Sequence, residues 1–285
     1  MSGAIEVIKP GALTTVQDLG RPGFAELGIP RSGAADRGSL TLANRLVGND
    51  ERVAALECTL IGPSLLFHEG GVIAITGAEV QAQVDGAEVP LNSAVAVPAG
   101  GVLELATASA GLRTYVAVRG GIEAQPMMGS MSSDLLSGLG PAPLRAGELL
   151  GSGEATAAVP PIGVAPVAAP ATEPLLHVIE GPRADWFTAD ALELLTSSSW
   201  EVSSDSNRSG VRLKGPKLQR ARSDQLLSEG MVDGAIQVPE SGQPIILLAD
   251  HPTTGGYPVI AVIVSADLDA AGQLRPGQQL RFSSS

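Results

Sequence analysis

The stretch Val72-Ile73-Ala74-Ile75-Thr76 decides the fold class of this chain, and Thr114-Tyr115-Val116-Ala117-Val118 repeats its pattern further along. Both runs are rich in β-branched residues and are followed by glycine-containing turns, which is typical of β-strands. Residues 5–8 and 94–97 show the same pattern. Residues 80–89 predict a hairpin, because Asp85-Gly86 supplies the positive φ angles that a two-residue turn demands. The first half of the chain is therefore predicted to be mostly antiparallel β-structure.

The second half continues the β-rich pattern and adds one helix. Residues 175–179, 245–248 and 259–264 are short apolar runs that predict strands. Residues 184–196 place their apolar side chains at helical spacing and predict a helix. In the first half, residues 39–47 predict a single helix. The predicted fold class is mainly β with a few short helices.

Length and composition predict two domains joined by a linker. The chain has 285 residues, and a domain typically holds about 150 residues. The tract from Gly151 to Pro174 is rich in Ala, Pro and Gly and nearly uncharged, as in an extended connector. We predict an N-terminal domain over residues 1–155, a linker over 156–174 and a C-terminal domain over 175–285. The prolines in this tract argue against a membrane helix there.

Charge balance and cysteine content exclude several classes of protein. With 18 Lys and Arg against 30 Asp and Glu, the formal net charge is −12, so the chain lacks the basic surface that nucleic-acid binding needs. One cysteine, Cys58, excludes an internal disulfide framework, and the first residues do not follow the order of a secretory signal. We expect a cytoplasmic protein that binds neither nucleic acid nor a membrane.

The standard nucleotide and metal motifs do not occur in the sequence. No Gly-Lys dipeptide is present, so a phosphate-binding loop of the P-loop type is not expected. The three histidines, His68, His177 and His251, are isolated from one another and from the cysteine. Because a zinc site needs several His or Cys ligands at close spacing, no metal site is expected.

Three carboxylates are candidates for acid–base chemistry, and each has a structural alternative. Asp36 precedes the first predicted helix, where it would cap free backbone amides. Glu57 lies between two apolar residues, so it is predicted to be partly buried and either to serve a site or to need a cationic partner. The partners considered are Arg21, Arg31, Arg45 and Arg119. Asp250 opens the phrase at residues 250–257, which forms either a tight turn or a cradle for an anion.

Arg119 follows the predicted strand at residues 114–118 and stands beside Gly120 and Gly121. A guanidinium at a strand end next to glycines would lie at a barrel rim, where a ligand can approach closely. Arginine suits the two-pronged recognition of a carboxylate or phosphate. We therefore predict a binding role for Arg119.

Several longer phrases are too specific to be generic turns. They include Val16–Gly23, Gly28–Asp36, Asn44–Asn49, Thr76–Ala78, Arg119–Ile122, Gly181–Arg183, Gly234–Pro239 and Thr253–Pro258. Together they resemble the biotin-dependent carboxyltransferase-like family. This family includes the C-type subunit of 5-oxoprolinase, allophanate hydrolase subunit 2, an antagonist of a sporulation-kinase inhibitor and a domain of urea carboxylase. The resemblance covers essentially the whole chain outside the linker.

The resemblance implies a fold, a function and partners. The implied fold is two cyclophilin-like β-barrel domains. The stand-alone length looks most like the C-type subunit of an ATP-dependent 5-oxoprolinase, which opens 5-oxoproline to glutamate and uses ATP as its magnesium complex. The implied partners are a smaller cyclophilin-like subunit (the B-type subunit of 5-oxoprolinase, or allophanate hydrolase subunit 1), the A-type subunit of 5-oxoprolinase, and a small-molecule substrate.

Two other functions fit the same resemblance. One is a regulatory protein that antagonises an inhibitor of a histidine kinase. The other is a carboxyltransferase component of a biotin-dependent, urea-carboxylase-like system. Biotin enters only in that reading, and it would be carried by another protein, because no biotin-accepting Met-Lys pair occurs in this chain.

The chemistry implied by the resemblance needs acids or bases together with cations and hydrogen-bond donors for phosphate and carboxylate. The candidate catalytic residues are Asp36, Glu57 and Asp250. The candidate binding residues for substrate and nucleotide are Arg21, Ser32, Asn44, Arg119, Arg183, Arg208, Gln237, Thr253, Thr254 and Tyr257. The sequence departs from the family pattern at Met131, Asn207 and Pro252, where arginine, aspartate and glutamine are usual. Each departure removes a polar or charged group from a candidate site.

Overall fold

A computed structural model describes residues 2–155 and 157–285 of the chain. Its contacts divide the chain into two compact units. The first unit comprises Met1–Arg21, Asp36–Asp134 and Gly138–Pro170, and the second comprises Pro22–Ala35, Leu135–Ser137 and Ala171–Ser285. Each unit is therefore assembled from segments that are not contiguous in the sequence.

The described residues of the first unit form twelve strands in two antiparallel sheets. The seven-stranded sheet has the order β11-β12-β1-β4-β9-β6-β7 and the five-stranded sheet the order β2-β3-β10-β5-β8. The strands are β1 (Ser2–Lys9), β2 (Leu13–Gln17), β3 (Ala55–Thr59), β4 (Ser64–Phe67), β5 (Gly71–Glu79), β6 (Ala82–Val84), β7 (Ala87–Glu88), β8 (Ala94–Val97), β9 (Gly101–Leu105), β10 (Ala110–Val118), β11 (Ile122–Glu123) and β12 (Leu149–Ser152).

The strand pattern of the first half is confirmed. The hairpin between β6 and β7 turns at Asp85 and Gly86, whose φ angles are 51° and 78°, the positive values that a type I′ turn requires. Strand β10 lies at the centre of the five-stranded sheet between β3 and β5. Its alternate apolar side chains join one buried cluster that includes Ile75, Val116 and Leu103.

Helix α1 (Arg37–Leu46) packs on β5 and β10. Asp36 is its N-cap, because a carboxylate oxygen accepts a hydrogen bond of 2.8 Å from the Ser39 amide. The buried face carries Leu40, Ala43 and Leu46. The predicted helix at residues 39–47 is therefore present, and the capping role predicted for Asp36 is observed.

The second unit contains a closed barrel and a two-stranded sheet. The barrel order is β13-β20-β17-β18-β15-β14-β21, and β16 pairs with β19. Its strands are β13 (Leu175–Glu180), β14 (Ser199–Val202), β15 (Gly210–Lys214), β16 (Glu229–Gly230), β17 (Ala235–Gln237), β18 (Ile245–Leu247), β19 (Thr254–Gly255), β20 (Val259–Ile263) and β21 (Gln279–Ser284). Trp200 is fully buried in the barrel core, where its indole donates to the Leu195 carbonyl.

The prediction of one continuous helix over residues 184–196 is wrong. The structure has a 3-10 turn at Ala184–Trp186 and a separate helix α2 (Ala191–Ser197). Phe187 between them is extended and forms a β-bridge with Arg220. The pairing of Phe187 with Arg220 interrupts the helix, although the spacing of the apolar residues alone predicts a continuous one. A short helix α3 (Leu268–Gly272), which the sequence analysis did not predict, completes the unit.

The fold is mainly β with three short helices among the described residues, as predicted. The strands of the first unit pair as two sheets, and the closed barrel is in the second. The predicted boundaries at 155 and 174 stay a prediction. Met1 and Thr156, the first residue of the predicted linker, lie outside the described residues. Over the part of the chain that is described, no helix is long and apolar enough to cross a membrane.

Candidate functional site

Ser32, Arg208 and Asp250 form a buried polar cluster in the second unit. Asp250 is fully buried, and its Oδ1 accepts from the Ser32 hydroxyl at 2.7 Å and from Arg208 Nη2 at 3.0 Å. Its Oδ2 accepts from Arg208 Nε at 2.9 Å and from the Leu135 amide at 3.1 Å. Arg208 also donates to the carbonyl of Gly33 at 2.6 Å. One carboxylate thus joins three separate stretches of sequence within this unit.

The geometry of this cluster favours a positioning role for Asp250. Both carboxylate oxygens already accept two hydrogen bonds each, and no part of the side chain reaches solvent. Ser32 has φ of 53° although it is not glycine, a conformation that costs free energy unless its surroundings hold it. The bond from Ser32 to Asp250 supplies that constraint.

The phrase after Asp250 carries accessible hydroxyls. Thr254 and Tyr257 are exposed and Thr253 is half-buried, and their hydroxyls make no hydrogen bond with any described residue. The buried Gln237 amide donates to the Tyr257 carbonyl at 3.2 Å. Four of the predicted binding residues therefore lie along one turn and the strand beneath it, and the hydroxyls of Thr253, Thr254 and Tyr257 are the accessible ones.

Arg183 borders the same turn through the small sheet. Strand β16 pairs Glu229 with Gly255 of β19, and the Arg183 guanidinium donates to both oxygens of Glu229. The hydrogen bond to Arg183 lowers the pKa of Glu229. The guanidinium of Arg183 is thus already paired with a carboxylate.

His251 is a buried histidine with acceptors at both ring nitrogens. Its Nε2 lies 3.2 Å from Asp233 Oδ1, and its Nδ1 donates to the Pro252 carbonyl at 2.7 Å. Burial alone lowers the pKa of His251, but the hydrogen bonds to Asp233 and Pro252 outweigh it and leave the pKa raised. Two acceptors are satisfied together only by the protonated ring.

The stability of the protein is expected to fall as the pH rises above neutral because of His251. A raised pKa in the folded state means that protonation stabilises the fold fully below the unfolded value of about 6.5. This contribution is lost as the pH rises through the folded pKa. Thermal midpoints measured from about pH 5.5 to about pH 9 should fall less steeply for His251→Gln than for the wild type. His68→Gln, at an exposed site, is the control, and equal slopes for all three proteins would contradict the prediction.

In the first unit, Glu57 forms a buried pair whose partner the sequence analysis missed. Tyr115 donates to Glu57 Oε2 at 2.7 Å, and Arg113 Nε lies 3.4 Å from Oε1. Glu57 lies opposite Tyr115 in the register of β3 and β10. The partners considered from sequence, Arg21, Arg31, Arg45 and Arg119, are replaced by Arg113, because strand register brings it next to Glu57.

Burial keeps the neighbours of Glu57 in their neutral forms. It raises the pKa of the Tyr115 hydroxyl well above its ordinary value, and the charges of Glu57 and Asp36 raise it further. Burial also raises the pKa of the Cys58 thiol to about 12, so this thiol is not a nucleophile at neutral pH. Tyr115 also accepts a hydrogen bond of 2.9 Å from the Asp36 amide, which links the two predicted carboxylates of this unit.

Asn49 links Asn44 to the residue after Arg119 at the end of helix α1. Asn49 donates to the Asn44 side-chain oxygen at 3.0 Å and accepts from the Gly120 amide at 2.8 Å. Arg119 donates to the carbonyls of Val47 at 3.1 Å and Ala157 at 2.6 Å. Both terminal nitrogens of Arg119 thus bind backbone carbonyls, which is how a cation stabilises a helix C-terminus.

Arg21 lies apart from these groups in a serine-rich loop cluster of the first unit. Its Nη2 donates to the Ser132 carbonyl, while its Nε and Nη1 are buried and have no hydrogen-bond partner among the described residues. The neighbouring Asp18 accepts from the hydroxyls of Ser130 and Ser132 and from two backbone amides. Asp18, Ser130 and Ser132 were not singled out from sequence, since their loops lie far apart in the chain.

The three departures from the family pattern have local explanations. Met131 packs against the apolar core of the first unit, and its amide donates to Asp18. The Asn207 side-chain oxygen accepts from the amides of Ser209 and Gly210, a turn role that an aspartate oxygen performs equally well. Pro252 offers its carbonyl to His251.

The mainly β fold, with a closed barrel in the second unit, defines the class of β-barrel proteins. The model for "Carboxyltransferase domain, subdomain A and B" matches residues 27–284. The chain belongs to this family. The resemblance inferred from the sequence phrases is confirmed.

Three relatives are informative. The chain is 40% identical to the C-type subunit of 5-oxoprolinase from Escherichia coli, over 98% of this chain and 90% of that protein. It is 37% identical to urea amidolyase of Saccharomyces cerevisiae, over 98% of this chain but 16% of that protein. The crystal structure of the K. lactis urea amidolyase superposes with a TM-score of 0.92 at 34% identity, covering 99% of this chain and 18% of that chain. The chain therefore spans less than a fifth of either urea amidolyase.

Proposed function

We propose that the chain is the C-type subunit of an ATP-dependent 5-oxoprolinase and acts with the A-type and B-type subunits to convert 5-oxoproline to glutamate. The observation that carries the proposal is the identity of 40% with the C-type subunit of 5-oxoprolinase over nearly the full length of both proteins. The matched part of urea amidolyase is a minor fraction of that protein. Correspondence over 98% of this chain and 90% of that protein favours the same role.

The turn at residues 253–257 is the proposed substrate surface of this chain. Opening a lactam develops negative charge on the carbonyl oxygen, which preorganised donors stabilise. Thr253, Thr254 and Tyr257 offer hydroxyl donors that have no partner among the described residues, and the buried Gln237 holds the Tyr257 backbone. Asp250 and Arg208, at the buried end of the same stretch, position the turn.

Three of the four arginines predicted to bind substrate or nucleotide already have partners within the chain. Arg208 is paired with Asp250, Arg183 with Glu229, and Arg119 with two backbone carbonyls. For the buried Arg208, exchanging its carboxylate partner for a phosphate would be costly. We propose that the reaction depends on ATP as its magnesium complex, and we assign no catalytic step in it to these three arginines.

The isolated chain is expected to be folded but inactive, and activity is expected only in the complex. The chain would be co-expressed with the smaller, cyclophilin-like B-type subunit and with the A-type subunit, and glutamate formed from 5-oxoproline would be measured with and without ATP. Co-elution of this chain with the smaller subunit is expected at high salt, because the exposed edge strands of its sheets need cover. Turnover by the isolated chain, or separate elution of the two proteins, would contradict the proposal.

The urea amidolyase relatives favour a second candidate, carboxyl transfer from a biotin carried by another protein. The same purified proteins distinguish the two functions. ATP hydrolysis that depends on 5-oxoproline supports the first. ATP hydrolysis that depends on urea and bicarbonate, and requires a biotinylated protein, supports the second.

A further inference from the structure

One short segment of this acidic chain is rich in positive charge. The chain has 18 Lys and Arg residues and a formal net charge of −12. Residues 212–222 hold five of those cations and no Asp or Glu, namely Arg212, Lys214, Lys217, Arg220 and Arg222. A cluster of positive side chains on a protein of negative net charge creates a local positive electrostatic potential at the cluster.

Part of this segment lines a groove in the second unit. The groove has a volume of about 550 Å³ and lies between residues 217–223 and residues 240–242. Ligand pockets typically measure about 300–1,000 Å³, so the space suits a small molecule. Lys217, Arg220 and Arg222 supply its cations, and Ser223 and Ser241 add hydroxyl groups.

The backbone of the cationic wall is held on both sides. The Leu218 amide donates to the Gly242 carbonyl at 3.0 Å. On the other side, the Ala221 amide donates to the Trp186 carbonyl at 2.8 Å, and Gln219 accepts from Thr188 at 3.0 Å. Gly242 has φ of 76°, and a Cβ there would lie 3.0 Å from the Leu218 carbonyl oxygen. The backbone at Gly242 can therefore approach the backbone at Leu218 closely because glycine has no side chain. The groove is thus preformed.

The cations of the groove have fewer or more exposed partners than Arg119, Arg183 and Arg208. Lys217 is exposed and makes no ion pair with any described residue. Arg220 lies over the Tyr257 ring at 6.0 Å and donates through Nη2 to the Val238 carbonyl, while its Nε is buried and finds no partner in the described part of the chain. Arg222 lies over the Trp186 ring at 5.8 Å and pairs with Asp185, but nearly half of its side chain is exposed. The charge of Lys217 is therefore available to a ligand as it stands, and the exposed part of Arg222 can contact a ligand while its pair with Asp185 is kept.

We propose that this groove binds the phosphoryl groups of a polyphosphate, either free or as part of a nucleotide. Three cations along one wall match several linked negative charges better than a single carboxylate, and Arg, Lys and hydroxyl groups are ordinary phosphate ligands. Glu240 lies on the opposite wall, where its carboxylate can accept hydrogen bonds from ligand hydroxyls. The inference holds whether or not the complex hydrolyses 5-oxoproline.

Calorimetric titration of the full-length chain with inorganic tripolyphosphate, at constant ionic strength, tests the site. Saturable binding to the wild type is expected. Lys217→Glu and Arg220→Gln are each expected to weaken it at least about tenfold, equivalent to about 1.4 kcal/mol. Lys214→Glu is the matched control, because it makes the same charge change at an exposed lysine of the same segment that does not line the groove. It is expected to bind as the wild type does.

Further ligands identify the source of the phosphate. ATP that binds more tightly than tripolyphosphate supports a nucleotide site, and equal affinity supports a free polyphosphate. The proposal is overturned if the wild type shows no saturable binding, if Lys214→Glu weakens binding as much as Lys217→Glu, or if citrate binds as tightly as tripolyphosphate. Because only the isolated chain is titrated, these outcomes are independent of the activity of the complex.

Discussion

Asp250→Ala is expected to lower the free energy of unfolding by about 3–5 kcal/mol, because it leaves the buried Arg208 guanidinium without its carboxylate. The substitution also removes the acceptor of the Ser32 hydroxyl and of the Leu135 amide. A loss of this size lowers Tm on the order of 10 °C in a chain of this length. Differential scanning calorimetry of the purified chain measures it directly.

Two variants separate the unpaired charge from the loss of packing. Ser32→Ala removes one donor to Asp250 and is expected to cost only about 1 kcal/mol. Arg208→Met combined with Asp250→Leu removes both charges and is expected to be more stable than Asp250→Ala alone, since neither charge is left unpaired. If Asp250→Ala melted like the wild type while the assembled complex lost turnover, Asp250 would be a catalytic residue and not a positioning one.

Glu57→Ala is expected to produce a loss of similar size, about 3–5 kcal/mol, within the first unit. It leaves Arg113 buried without the carboxylate and deprives the Tyr115 hydroxyl of its acceptor. Tyr115 does not compensate by ionising, because burial raises its pKa far above neutral. Urea unfolding monitored by circular dichroism would measure the change.

The controls for Glu57 use the same two sheets. Glu79→Ala changes an exposed carboxylate at the end of β5 and is expected to change stability by less than about 0.5 kcal/mol. Tyr115→Phe keeps the ion pair and removes only the hydroxyl, so an intermediate loss of about 1–2 kcal/mol is expected. Wild-type stability of Glu57→Ala together with lost turnover in the complex would assign Glu57 to catalysis.

Local pattern was sufficient for most of the elements. Strand β8 spans Ala94–Val97, the predicted run, and the β6–β7 turn has the predicted positive φ angles at Asp85 and Gly86. These features depend on residues within one turn or strand, so a short stretch of sequence carries the whole signal. The Asp36 cap is equally local, because its partner Ser39 is three residues away.

Apolar spacing misled where a distant strand competed with a helix. Residues 184–196 have helical spacing, yet Phe187 is extended because it pairs with Arg220. The same limit applies to the candidate site. Ser32 and Asp250 were both predicted as site residues from the phrases that contain them, but nothing near either residue indicates that they bond to each other at 2.7 Å.

The amino-acid sequence by itself determined the mainly β class, the turn types, the helix cap and, through its longer phrases, the family. Only the tertiary structure decided which groups are paired and which stay available: Glu57 with Arg113, Asp250 with Arg208 and Ser32, and Lys217 with none of the described residues. The physical reason is the distance along the sequence over which the stabilising interactions act. A turn or cap is stabilised by interactions over a few residues, whereas the partner of a buried charge depends on strand register and on segments brought together by burial of the apolar cores.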